Sequence, residues 1–270
     1  MTFEPHELNR HTERAVEIAK IAGQRILELF LPEITVSQKP DDTPLTAADL
    51  AANRVIVSRL IALEPALPVI TEESDAASLS ERATWDTYWL VDPLDGTREF
   101  IKKNGEFSVN IALIHQGQPV LGVIHAPVLE ITYWACRGGG AWKQAGDDKP
   151  RKINVRTAPA QRITVALGWS ARFSHRLERF LDKLGTHDEL RMGGALKSCL
   201  VAEGRADLYA CLGPTGEWDT GAAQCIVEEA GGQITDTQMR ALRYNSRDSL
   251  LNPDFFAFGK SNRQWSDYLG

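Results

Sequence analysis

The chain has 270 residues, with 30 Lys and Arg against 36 Asp and Glu, a formal charge of −6. That length holds one large domain or two small ones, and 43% apolar with 24% charged residues excludes global disorder. The acidic balance argues against nonspecific nucleic-acid binding, which rests on clustered Lys and Arg.

Glu4–Leu31 predicts a long helix, because Leu8, Ala15, Ile18, Ala22, Ile26 and Leu29 recur at steps of three, four or seven. Pro32 ends it, and Ile34–Gln38 suits a strand. Thr46-Ala47-Ala48-Asp49 has capping-box spacing and opens a second helix to about Leu63. The period then changes to two. Strands are predicted at Pro68–Thr71, Tyr88–Val91, Phe107–His115, Gln118–His125 and Ile131–Cys136, with a hairpin at Gln116-Gly117. Gly138–Gly140 marks a turn and Ala145–Lys149 a polar loop. Short connections imply an antiparallel sheet.

Beyond Ala158 the pattern changes again. Ile163–Leu167 reads as a strand, and His175–Leu184 as a helix capped by Gly185. Leu190–Met192, a helix near Ala195–Glu203, a strand Asp207–Ala210, a helix near Thr220–Ala230 and a strand Gly232–Thr235 follow. Ser261–Leu269 predicts a short closing helix. This alternation implies a partly parallel second sheet. The expected organisation is therefore an α+β half, 1–158, and an α/β half, 159–270.

No segment reaches the roughly 18–20 apolar residues of a membrane helix, and the start, Met1-Thr2-Phe3-Glu4, is unlike a signal peptide. Cys136, Cys199, Cys211 and Cys225 form no C-x-x-C pair. The expectation is a reduced, cytoplasmic protein with buried thiols and no zinc site.

The informative stretch is Asp92-Pro93-Leu94-Asp95-Gly96-Thr97. A strand ends, Pro93 stops the ladder, Gly96 permits unusual backbone angles, and Thr97 suits the N-cap of a helix Arg98–Lys102. Two carboxylates and several free N–H groups meet there. Carboxylates suit Mg²⁺ and helix-start N–H groups suit phosphate, but the stretch alone is equally a strand-end turn. Glu72 ends the strand Pro68–Thr71 and projects from the same sheet end. Asp219, in Trp218-Asp219, reads as the cap of the next helix.

Together with Glu72-Glu73 upstream and Trp218-Asp219-Thr220-Gly221-Ala222-Ala223 downstream, this stretch resembles the inositol monophosphatase superfamily. The resemblance runs from about Ala15 to Gly259. The run Asp95–Phe107, with Asn110–Ile114 and Leu196–Gly204, is similar to its CysQ branch, the 3'(2'),5'-bisphosphate nucleotidases. The resemblance implies a layered αβαβα sandwich and a lithium-sensitive phosphomonoesterase that uses two or three Mg²⁺ per site. It implies metal ligation by Glu72, Asp92, Asp95, Asp219 and the Leu94 carbonyl, with catalysis by Asp49, Glu72 and Thr97. Leu94, Asp95, Gly96, Thr97, Gly194, Lys197 and Asp219 are the implied substrate contacts. The implied partner is a small phosphate ester, with a nucleotide bisphosphate favoured. Monomer, homodimer and weak docking at the inner membrane face all stay open.

Three places depart from the branch. Gly194 and Ala195 replace small hydroxyl residues, and Ala210-Cys211-Leu212 lacks an expected arginine. Trp169-Ser170-Ala171-Arg172 replaces Ser-Arg-Ser-His. Lys197 remains, with Arg172 or Arg191 as compensating cations, and an inositol- or sugar-phosphate phosphatase is the alternative. A covalent phosphoaspartate enzyme is disfavoured because the two acids stand three apart with Pro93 between them. A noncatalytic calcium loop is disfavoured by the missing D-x-D-x-D-G spacing.

Overall fold

The computed structural model describes residues 3–30, 36–38, 44–75, 79–169 and 174–269. In chain order these form α1 (Pro5–Phe30), β1 (Val36–Gln38), β2 (Pro44–Thr46), α2 (Ala47–Leu60), β3 (Val69–Thr71), β4 (Thr87–Asp95) and α3 (Thr97–Ile101). The strands β5 (Ser108–His115), β6 (Gln118–Ala126), β7 (Ile131–Cys136), β8 (Gly140–Ala145), β9 (Arg151–Ile153) and β10 (Ile163–Leu167) come next. The chain closes with α4 (His175–Leu184), β11 (His187–Arg191), α5 (Leu196–Ala202), β12 (Leu208–Cys211), α6 (Glu217–Glu229), β13 (Gln233–Asp236) and β14 (Phe255–Phe258). The expectations at Pro32, Ile34 and Arg172 lie outside the described residues.

β3 to β9 form a seven-stranded sheet in chain order. β3 runs parallel to β4, and the remaining pairs are antiparallel. The hairpin between β5 and β6 turns on Gln116 and Gly117, both at positive φ (51° and 70°), as a two-residue turn matched to strand twist demands. The second sheet has the order β11-β10-β12-β14-β13. β10 lies parallel to both its neighbours, and β14 antiparallel to both of its own.

The alternation along β4 builds the layers. Trp89 and Val91 face one way, joining Ala15, Ile18, Ala22 and Ile26 of α1 and Ile56 of α2 in one core. Tyr88 and Leu90 face the other way, onto Cys199 and Leu200 of α5, Ala222 and Ile226 of α6, and Phe255 and Ala257 of β14. The outer face of the second sheet, with Val165, Phe256 and Phe258, packs on Leu177 and Phe180 of α4 and on Trp265. The result is the αβαβα sandwich that the resemblance implies. Fully burying each large aliphatic or aromatic side chain contributes about 1.5–3 kcal/mol.

Several expectations needed correction. β2, β8, β9 and β14 are not among the predicted strands. In β8 the inward position Lys143 carries a charge, satisfied by Glu203 at 2.5 Å, so the strand lacks apolar alternation. β14 is a continuous apolar run because both its faces are buried. The closing helix is reduced to a 3-10 turn, Trp265–Tyr268. α4 falls on its predicted bounds, and the other helix ends lie within one to three residues of theirs.

His125 in β6 is buried, and its Nδ1 lies 3.0 Å from Thr132 Oγ1. A Cβ on Gly23 of α1 would stand 2.7 Å from its Cδ2, so α1 sits directly on the ring. Burial, aided by Lys20, pushes the imidazole down to about 4 from 6.5. Below pH 6.5 the unfolded chain takes up a proton that the folded ring refuses. This contribution is therefore complete above pH 6.5 and is lost as pH falls from 6.5 through 4, up to about 3 kcal/mol. His125→Gln is expected to flatten the loss of urea stability between pH 7 and pH 4.5, relative to wild type. Parallel curves for the two proteins would contradict the assignment.

Candidate active site

The site forms where β4 ends. Asp92 pairs with Asn110 of β5 and Asp95 with Ser108, so three steps on β4 match two on β5. This bulge holds Pro93 and Leu94 and re-aims the two carboxylates. The strand thus continues to Asp95, with its ladder interrupted where Pro93 was expected to stop it. Gly96 follows at φ 92° and is the N-cap of α3, with Thr97 its first residue. The cap is one residue earlier than expected, because the left-handed turn falls on glycine. The first-turn N–H groups of α3 have no intrahelical partner.

Asp219 joins this point from the start of α6. It is the third residue of the helix, and its Oδ2 accepts the N–H of Gly216 at 2.9 Å. It is therefore inside the helix rather than just before it. One carboxylate oxygen each from Asp92, Asp95 and Asp219 lies within 4.8 Å of the others. Glu72 reaches the same sheet end, where its N–H donates to Val91 O at 3.1 Å.

Charge crowding is visible in the protonation. Asp92 is held well above the usual carboxylate range by burial, then by Glu72, Asp95 and Asp219. Asp219 is pushed up to about 8 by burial, Asp95 and Glu72. Asp95 is also raised by burial, against the opposing charge of Lys197 and the N–H of Ala195. An all-oxygen set of mutually repelling carboxylates fits a hard divalent cation. In the metal-free protein the folded state binds more protons than the unfolded chain between about pH 4 and pH 8, so stability falls as pH rises through that window. Adding Mg²⁺ is expected to raise Tm more at pH 8 than at pH 5.5. An equal or smaller shift at pH 8 would contradict the assignment.

Beside the cluster, Thr97 Oγ1 donates toward Asp49 Oδ1 and Leu94 O, each at 3.3 Å. Asp49 Oδ2 accepts from Thr46 N (2.8 Å) and Thr46 Oγ1 (2.6 Å). Asp49 is thus both the capping-box residue of α2 and the partner of Thr97.

The second half closes on Asp95. Its Oδ2 accepts from the N–H of Ala195 and, at 3.4 Å, from Asn110 Nδ2. Gly194, at φ 48°, precedes it, and a Cβ there would stand 2.5 Å from the same oxygen. Lys197 Nζ donates to Gly194 O at 2.6 Å. Arg191 is engaged elsewhere, on Gly168 O and Glu189. Cys211 has its thiol near Gly213 O, and Arg172 lies outside the described residues. Asn110 opens the stretch Asn110–Ile114 that resembles the CysQ branch, but that resemblance gives it no role in the site. The backbone N–H of Ala195 leaves no sequence signal.

The inositol monophosphatase family model matches residues 7–265. A Salmonella typhimurium protein named 3'(2'),5'-bisphosphate nucleotidase CysQ is 44% identical over 245 residues, 90% of this chain and 97% of its own. Its namesake from Escherichia coli K12 is 42% identical over the same shares. The crystal structure of CysQ from Bacteroides thetaiotaomicron, a bacterial member of the inositol monophosphatase family, superposes with a TM-score of 0.80 at 35% identity, covering 93% of this chain and 97% of that one. With the family model matched over nearly its whole length, the chain belongs to the inositol monophosphatase family.

Proposed function

We propose that the protein is a Mg²⁺-dependent phosphomonoesterase that hydrolyses 3'-phosphoadenosine 5'-phosphate to AMP and phosphate. The observation that carries this reading is the Asp92–Asp95–Asp219 cluster standing beside the Thr97–Asp49 pair. The 44% identity to a bisphosphate nucleotidase supports the substrate. Asp92, Asp95, Asp219 and Glu72 would hold two or three Mg²⁺ through carboxylates, and Leu94 through its carbonyl. Bound there, the metal neutralises phosphate charge and lowers the pKa of a bound water.

The residues of the chain then do the following. Gly96 and Thr97 N–H groups, at the start of α3, receive the ester phosphate. Glu72 and Thr97 orient a water in line with it. As the water oxygen forms its bond to phosphorus, its proton passes to Thr97 Oγ1, whose own proton passes to Asp49 Oδ1. The 3' ester P–O bond breaks, and the leaving oxygen takes a proton from solvent to become the 3'-hydroxyl. Asp49 suits this role because Thr97 Oγ1 already donates toward its Oδ1, while Thr46 holds the other oxygen. Lys197 and Gly194 contact the rest of the substrate. On this reading residues 1–158 supply most metal ligands, and residues 159–270 supply Asp219 and the substrate contacts. No described helix is long and apolar enough to cross a membrane, and we assign the protein to the cytoplasm.

An inositol- or sugar-phosphate phosphatase is the second reading, favoured by Gly194, Ala195 and Cys211 in place of hydroxyls and an arginine. Phosphate release from 3'-phosphoadenosine 5'-phosphate and from inositol 1-phosphate, run in parallel with Mg²⁺, separates the two. The nucleotide is expected to lead in kcat/KM by about tenfold or more. Preference for inositol 1-phosphate would overturn the substrate.

A further inference from the structure

Trp169 follows β10 with its side chain half exposed (50%), although its indole is held in place. Nε1 donates to Glu106 Oε2 at 2.6 Å, and the same oxygen accepts the N–H of Gly193 at 2.8 Å. Glu106 comes from the first half of the chain, and Trp169 and Gly193 from the second. Gly193 must be glycine, because a Cβ there would collide with Glu106 O and stand 2.8 Å from Glu99 Cγ. Gly194 comes next, against Asp95, and then Ala195, whose N–H meets the Asp95 carboxylate. A continuous strut therefore runs from the indole to a carboxylate of the acidic cluster. Two residues of chain span at most about 7 Å. With one hydrogen bond at each end, Glu106 Oε2 lies within about 12 Å of the Asp95 carboxylate.

Lys197 lies along this span. Its Nζ holds Gly194 O at 2.6 Å and sits 5.0 Å from the centre of the Tyr209 ring. From the cluster outward the order is carboxylates, an ammonium, then an indole. A nucleoside bisphosphate carries a matching set of groups on one ribose: the ester phosphate at C3', a second phosphate at C5' and a flat base at C1', spread over a similar length. A tryptophan serving only as a strut is on average largely buried. Here the one polar atom is satisfied and a large part of the ring meets solvent, while no described ring or cation stacks on it. An aromatic face fixed in this way and left open suits a planar partner.

We propose that Trp169 is the platform on which the substrate base stacks, and that Glu106 is a positioning residue that fixes the indole and the 193–195 turn together. The proposal rests on the nucleotide reading above. It gives the cleft a base contact where the expected Ser-Arg-Ser-His is missing.

The test compares wild type, Trp169→Leu, Trp169→Phe, Glu106→Gln and Glu106→Ala on 3'-phosphoadenosine 5'-phosphate and on glycerol 2-phosphate, which has no base. Trp169→Leu is expected to raise KM for the nucleotide about five- to tenfold, with kcat changed less than twofold and no matching loss on glycerol 2-phosphate. Trp169→Phe should recover most of the loss. Glu106→Gln, which keeps an acceptor oxygen, should stay near wild type, while Glu106→Ala follows Trp169→Leu. AMP added to the Mg²⁺-loaded enzyme should quench tryptophan emission in wild type and much less in Trp169→Leu. An unchanged nucleotide KM in Trp169→Leu, or equal losses on both esters, overturns the platform alone. A wild type that hydrolyses glycerol 2-phosphate but not the nucleotide overturns the nucleotide reading and the platform with it.

Discussion

Asp95→Asn is expected to lower kcat by about 10³-fold or more while leaving the fold intact. The asparagine oxygen still accepts from Asn110 Nδ2 of β5 and from Ala195 N–H, the contact that ties Asp95 to the second half. What is lost is the negative charge that the cluster presents to a cation. The same loss relieves Asp92 and Asp219, both of which Asp95 pushes toward protonation. The metal-free variant should therefore melt at or above the metal-free wild type at pH 8, and Mg²⁺ should raise its Tm far less. Circular dichroism melts with and without EDTA, beside a phosphate-release assay, read both effects. Activity within tenfold of wild type would remove Asp95 from the metal site. A collapse of Tm would make its role mainly structural.

Gly122→Ala is expected to be strongly destabilising. Gly122 lies in the middle of β6, and a Cβ there would collide with the carbonyl oxygen of Ala222 in α6. The obstacle is helix backbone, which cannot rotate away as a side chain can. The cost falls at the upper end of overpacking, about 3 kcal/mol, or about 6–12 °C in Tm. α6 carries Asp219 in its first turn, so a helix pushed off the sheet also draws that carboxylate from Asp92 and Asp95. A large fall in kcat should accompany the fall in Tm, and extra Mg²⁺ should restore part of both. Gly213→Ala is the control: nothing lies within 4 Å of its added Cβ, so a change within about 0.5 kcal/mol is expected. Equal behaviour of the two variants would mean that α6 is not in close contact with β6.

The clustered carboxylates and Asp49 were legible because they sit where local signals change. Asp92 and Asp95 follow an apolar strand and bracket a proline, and Asp49 and Asp219 occupy first turns of helices. Each of the last two also caps its own helix, so the ordinary local reading holds and leaves a second oxygen for the proposed function. The remainder of the cleft was not legible, because its contacts join distant parts of the chain. Trp169 and Glu106 are 63 residues apart, Gly193 and Glu106 are 87 apart, and Ala195 and Asp95 are 100 apart. Gly194 read as the loss of a hydroxyl; in the fold it also allows the chain to pass beside Asp95. β8 was hidden for a similar reason, since its inward Lys143 meets Glu203 from α5's end, 60 residues on.

The most direct test is phosphate release from 3'-phosphoadenosine 5'-phosphate by EDTA-stripped protein as Mg²⁺ is added back. The acidic cluster predicts no release without metal and a saturating return of activity with it, abolished in Asp95→Asn. Release that persists without metal, or none at any Mg²⁺ concentration, would contradict a metal-dependent nucleotidase.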